Sequence, residues 1–143
     1  MISKTVAAVL FYGSALAAAG ATDLTVTIKG VPNDRGYVVS TVYNSESSFL
    51  KRPDAFASFR IKASKGEVSY SLRNLPPGKY AVGAFHDAND NGKLDAEPSG
   101  QPTEVYGFSS SNGTRITSGP PGFADAAFDL KDQIKMISID LGL

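Results

Sequence analysis

"GEVSYSLRNLPPGKYAVGAFHD", residues 66–87, decides the fold class. Val68, Tyr70 and Leu72 alternate with Ser69, Ser71 and Arg73, a period of two. Successive side chains of a strand point to opposite faces, so this run buries one face and wets the other. A helix would repeat its apolar positions every three to four residues, and this stretch does not. At its end Pro77 fixes φ for a tight turn and Gly78 supplies positive φ. A second strand-like run follows over 80–86, in which Tyr80, Val82, Ala84 and His86 share one parity.

The same period extends outward in both directions. "DLTVTIKG", residues 23–30, sets Leu24, Val26 and Ile28 against Thr25, Thr27 and Lys29. "GYVVSTVYN", residues 36–44, is dense in β-branched and aromatic residues. "FASFRIKA", residues 56–63, puts Phe59 and Ile61 opposite Arg60 and Lys62. "KMISIDLGL", residues 135–143, alternates Ile137, Ile139 and Leu141. Glycine, proline or asparagine lies at or near each boundary. About seven short strands with polar alternate faces predict an all-β chain, an antiparallel Ig-like β-sandwich. Val26, Tyr80, Val82, Ile137 and Ile139 are its expected core. Only "SESSFLKRPDAFASF", residues 45–59, hints at a helical turn, with Ser47 or Ser48 as cap and Pro53 as stop.

Residues 87–122 break this rhythm. Prolines, glycines and asparagines dominate, and one short strand is expected at 103–108. Irregular stretches above roughly 12–15 residues are uncommon in a compact domain and carry function or mobility. The sandwich is therefore expected to bear one long irregular loop.

Composition narrows the class. The chain has 143 residues, room for one domain with a real core. Its 14 basic and 14 acidic residues give a net charge of +0, so no basic field collects nucleic acid. Cysteine is absent, which removes disulfides and thiolate chemistry. With His86 as the single histidine, a structural zinc site lacks ligands. At the N-terminus Lys4 precedes the apolar run "TVAAVLFYGSALAAAGA", which ends in small-x-small sites. That pattern predicts a secretory signal peptide over residues 1–21 and a mature domain over 22–143. The run is short for a membrane span and rich in alanine and glycine at its end, so no stable insertion is expected after cleavage. The compartment is then periplasmic or secreted.

"FHDANDNGKLD", residues 85–95, carries the clearest chemistry. Asp87, Asn89 and Asn91 sit at every second position, followed by Gly92 and Asp95. This matches the first six positions of a calcium loop, D-x-[DN]-x-[DN]-G. Calcium takes six to eight hard oxygen ligands, and a loop wrapping the ion presents alternate side chains to it. Asp87, Asn89 and Asn91 would donate side-chain oxygens, Lys93 its main-chain carbonyl, and Asp95 a carboxylate. The twelfth position, where an EF-hand has a bidentate glutamate, is Pro98, and the segment before the loop reads as strand. The alternatives are thus a strand-borne calcium loop and a polar turn held by Asx hydrogen bonds.

Two further functions stay open beside it. His86, Glu104, Tyr106 and Phe108 are a possible ligand surface for a cell-envelope glycan or protein, needing no metal. A hydrolase would use His86 as base with Asp87 or Glu104, and a serine among Ser109, Ser110 and Ser111. The sequence has no G-x-S-x-G elbow to support that last option. A non-catalytic binding or structural module is the expectation.

"NLPPGKYAVGAFHDANDNGKLD" at 74–95, "GQPTEVYGFSSS" at 100–111, and "GPPGFADAAFDL" at 119–130 with the closing "IKMISIDL" together resemble the bacterial family called domain of unknown function 2141. The resemblance covers nearly the whole mature chain. It implies an exported prealbumin-like sandwich, of the transthyretin or carboxypeptidase-regulatory kind, and no particular reaction. Leu75, Tyr80 and Val82 match the turn-strand common in such sandwiches, and Glu104 takes the place of the acid before the Y-G-F-S turn.

Overall fold

In the computed structural model, residues 20–113, 115 and 120–143 are described. The expected signal peptide lies outside the described residues up to position 19. Strands form where the alternation runs: β1 Thr22–Val31, β2 Tyr37–Tyr43, β3 Ala57–Lys62, β4 Gly66–Leu75 and β5 Gly78–Asp87. After the irregular stretch come β6 Tyr106–Phe108, a single helical turn α1 Phe123–Ala126, β7 Phe128–Leu130 and β8 Ile134–Asp140.

The strands make an all-β sandwich of two sheets. One has the order β4-β1-β8; the other runs β3-β2-β5-β6, with β7 also on β5. The turn at Pro77–Gly78 therefore carries the chain from one sheet to the other. β6 pairs with Gly83–Phe85 and β7 with Gly78–Tyr80, so the two short strands share β5 between them. The alternating residues meet between the sheets. Leu24, Val26, Ile28, Val68, Tyr70 and Leu72 face Val38, Val42, Tyr80 and Val82, all buried. One polar link crosses this core: the hydroxyls of Ser40 on β2 and Tyr70 on β4 lie 2.8 Å apart, which satisfies both.

Along one side the two sheets touch. Tyr106 of β6 donates to the Gly142 carbonyl, and Gly142 donates back to Tyr106, both at 3.0 Å. The approach is close enough that a Cβ on Gly107 would lie 2.5 Å from the Asp140 carbonyl. The opposite side ends in β3 and β4.

Several expectations need correction. β8 pairs with β1 in parallel, not antiparallel, from Asp23 opposite Ile134 to Lys29 opposite Asp140. Period-two patterning fixes which face is buried and carries no strand direction. Ile137 is only half-buried, while Val26, Tyr80, Val82 and Ile139 are buried as expected. The helical turn is a 3₁₀ turn at Arg52–Asp54 that contains Pro53 rather than stopping at it. Neither Ser47 nor Ser48 caps it: its N-cap is Lys51, which makes no side-chain capping bond, and the Ser48 amide donates to the Ser45 hydroxyl in the turn before it.

Candidate functional site

β5 delivers Asp87 to the mouth of the irregular stretch. The backbone pairs Asp87 with Tyr37 across the β2–β5 ladder. Gly36 lies directly against it: a Cβ there would sit 2.1 Å from the Asp87 carbonyl oxygen, and its φ of +66° suits glycine. Asp87 is fully buried, and its carboxylate is engaged. Oδ1 accepts the Asn91 amide at 3.1 Å and Oδ2 the Gly92 amide at 2.8 Å. The chain therefore folds back over its own aspartate, with Asp90 and Gly92 at positive φ to make the bend.

A second carboxylate closes the loop from the other side. Glu104 Oε2 accepts the Ala88 amide at 3.2 Å, and Oε1 accepts the Asp95 amide at 3.0 Å. Between Asp95 and Glu104 the chain makes a small excursion and returns: Ala96 bridges to Pro102, and the Thr103 amide donates to the Asp95 carbonyl at 2.9 Å. Asp87 and Glu104 thus hold both ends of residues 88–95 through main-chain amides.

At the surface of this frame three side chains converge. The Asn89 amide nitrogen donates to one Asp95 oxygen at 2.7 Å, and the Asn91 amide nitrogen to the other at 2.6 Å. These two amides, Asn91 first, hold the Asp95 carboxyl below the usual carboxylate range. Asp90 points elsewhere and pairs with Arg60 of β3. The Lys93 amide donates to Asn91 Oδ1 at 3.0 Å. So the structure brings Asn89, Asn91 and Asp95 together, with Asp87 beneath them tied to the main chain of Asn91. Among the described residues, no group of three or more His, Asp or Glu side chains is gathered as it would be around a metal.

The proposed ligand-surface residues separate into two sets. His86 is buried on the core parity of β5, and its Nε2–H donates to the Arg35 carbonyl at 2.6 Å. Glu104 is committed to the loop amides described above. Ser109 is buried as well: its hydroxyl donates to the Ala126 carbonyl at 2.7 Å and accepts the Val82 amide at 2.8 Å. These three side chains bond to main-chain partners that fix neighbouring segments.

Tyr106 and Phe108, by contrast, line a groove of about 200 Å³ on the outer face of the five-stranded sheet. Phe85 lies at its floor, Leu50 and Arg52 come from the 45–55 segment, and Leu94 comes from the Asp87 loop. The Arg52 guanidinium sits 5.9 Å from the Phe85 ring centroid and donates to the Gly92 carbonyl at 2.9 Å. Leu50 and Arg52 escaped sequence reasoning because they belong to the least regular part of the chain. Leu50 does carry a structural mark: its φ is +66°, unusual for a leucine.

A family model described as "Uncharacterized protein conserved in bacteria" (DUF2141) matches residues 26–138. No curated protein and no solved structure matches the chain.

Proposed function

Because the chain belongs to this bacterial family, whose description assigns no activity, we propose its function from the site: an exported, non-catalytic module whose 87–95 loop is ordered by calcium. The N-terminal apolar run and its small-x-small sites support export. The observation that carries calcium is the convergence of Asn89 and Asn91 on the two oxygens of Asp95. A cation entering at that point takes the Asp95 carboxylate. Each asparagine then turns its amide over and presents Oδ1 where Nδ2 had donated. Asp87, fixed by the Asn91 and Gly92 amides, lies at the base of the same loop.

Charge points the same way. Residues 87–97 hold four acids and one lysine, −4 + 1 = −3. Arg60 offsets Asp90 alone. A divalent ion neutralises the rest at the point where Asp95 sits. Two neutral asparagines and the absent bidentate glutamate set a weak affinity, on the order of 10⁻⁴ to 10⁻³ M.

Thermal unfolding tests this reading. Millimolar calcium should raise Tm by a few degrees, corresponding to roughly 1 kcal/mol of linkage. Magnesium should do less, since it dehydrates reluctantly. Asp95→Ala should remove the shift and Asp90→Ala should keep it. Asp87→Ala is the poorer probe, because it also strips two main-chain amides of their acceptor. Equal Tm in calcium and in chelator would reduce the loop to a hydrogen-bonded turn.

A further inference from the structure

From the groove we infer a second binding site, for the C-terminal residue of a partner polypeptide: an apolar side chain with its free carboxylate. Three observations converge on that occupant.

The first is exposure. Large hydrophobic side chains on a soluble domain are usually scattered, and contiguous exposed ones mark contact surfaces. Leu50 is 45% exposed and Leu94 36%, and both line this one groove. Leu50 is also held at positive φ, a conformation that costs a leucine free energy.

Size is the second. A dry cavity of about 150 Å³ takes one benzene ring, and drug-sized ligands fill about 300 Å³ or more. The groove's volume of about 200 Å³ therefore suits a single aromatic or branched side chain. Tyr106 and Phe108, with ring centroids 5.9 Å apart and planes at 77°, give that side chain an edge and a face.

Charge is the third. Among the described residues lining the groove, Arg52 is the only charged one. Guanidinium presents five N–H donors in a planar fork, and one of them goes to the Gly92 carbonyl. The fork is thereby anchored beside an apolar floor, which suits bidentate recognition of a carboxylate. An apolar group and a carboxylate within one residue's reach describes a hydrophobic C-terminus. The groove lies on the outer face of the sheet, so the preceding residues of such a ligand can leave into solvent.

Fluorescence anisotropy tests the inference. The probe is a labelled four-residue peptide ending in phenylalanine, compared with the same peptide amidated and with one ending in serine. Saturable binding of the free acid is expected, with at least a tenfold loss on amidation and a similar loss for the serine peptide. Arg52→Gln should weaken the acid peptide to the level of the amide. Leu50→Gly should weaken both apolar peptides with no loss of Tm, since glycine relieves the positive φ at that position. Absence of saturable binding, or equal affinity for acid and amide, overturns the inference. So does an unchanged affinity in Leu50→Gly. The titrations are run in calcium and in chelator. The melting shift tests the metal loop separately, so either conclusion can fail alone.

Discussion

Tyr70 carries a phenol into the middle of an apolar core, and that choice has a pH signature. Burial pushes its pKa far above the ordinary 10.0, and the hydrogen bond with Ser40 opposes this only in part. Below about pH 10 the phenol is neutral in both folded and unfolded chains and adds no pH dependence. Above that value the unfolded chain releases a proton that the folded protein keeps, so stability falls as pH rises. One proton is worth about 1.4 kcal/mol per pH unit. Tyr70→Phe should therefore flatten the alkaline decline by about that slope in urea unfolding at stepped pH, at a cost near neutrality of roughly 1 kcal/mol for the lost hydrogen bond. A remaining slope is expected from Tyr43 and Tyr80, which burial also raises. An unchanged alkaline slope in the variant would contradict the assignment. Tyr70's burial was plain in the alternation of "VSYSL"; its partner was not, because Ser40 lies in a run where β-branched residues fill both faces.

At the scale of elements, β6 decides how the sheets meet. It is only three residues long, Tyr106–Phe108. Yet it pairs with β5 on one side and bridges to Gly142 on the other. The middle residue must be small: a Cβ on Gly107 would meet the Asp140 carbonyl at 2.5 Å and Ile139 Cγ2 at 2.9 Å. Gly107→Ala should push β6 from β8 and destabilise the protein by about 1–3 kcal/mol, the usual scale of overpacking. A change within about 0.5 kcal/mol in urea unfolding, typical of surface sites, would show that the crossing gives way freely. The long strands β1 to β5 were legible because each repeats its apolar side chain several times. β6 falls inside the short strand expected at 103–108, whereas β7 was not placed, because three residues give at most two positions on one face. The Asp87 loop was legible as spacing, since Asp87, Asn89, Asn91 and Asp95 recur in a pattern. Glu104's grip on the Ala88 and Asp95 amides was not, because the excursion that brings it back has no signature of its own.

For the whole molecule, alternation was enough to predict a sandwich with one irregular stretch, and the chain is one. It was not enough to predict the parallel pairing of β1 with β8. Direction depends on the path the intervening chain takes before it returns to β1, and no local pattern encodes that path. The pairing joins residues more than a hundred positions apart, such as Val26 and Ile137. It also determines how the domain answers to tension. In a parallel pair the start of β1 and the finish of β8 lie at opposite ends of the ladder. A pull applied at Thr22 and Asp140 loads every rung from Asp23–Ile134 to Lys29–Asp140 at once, in shear. An antiparallel pair pulled from one end would instead unzip rung by rung. Stretched by its ends in an optical trap, the sandwich should yield at high force in one step, and pulled across β3 and β4 it should peel at low force.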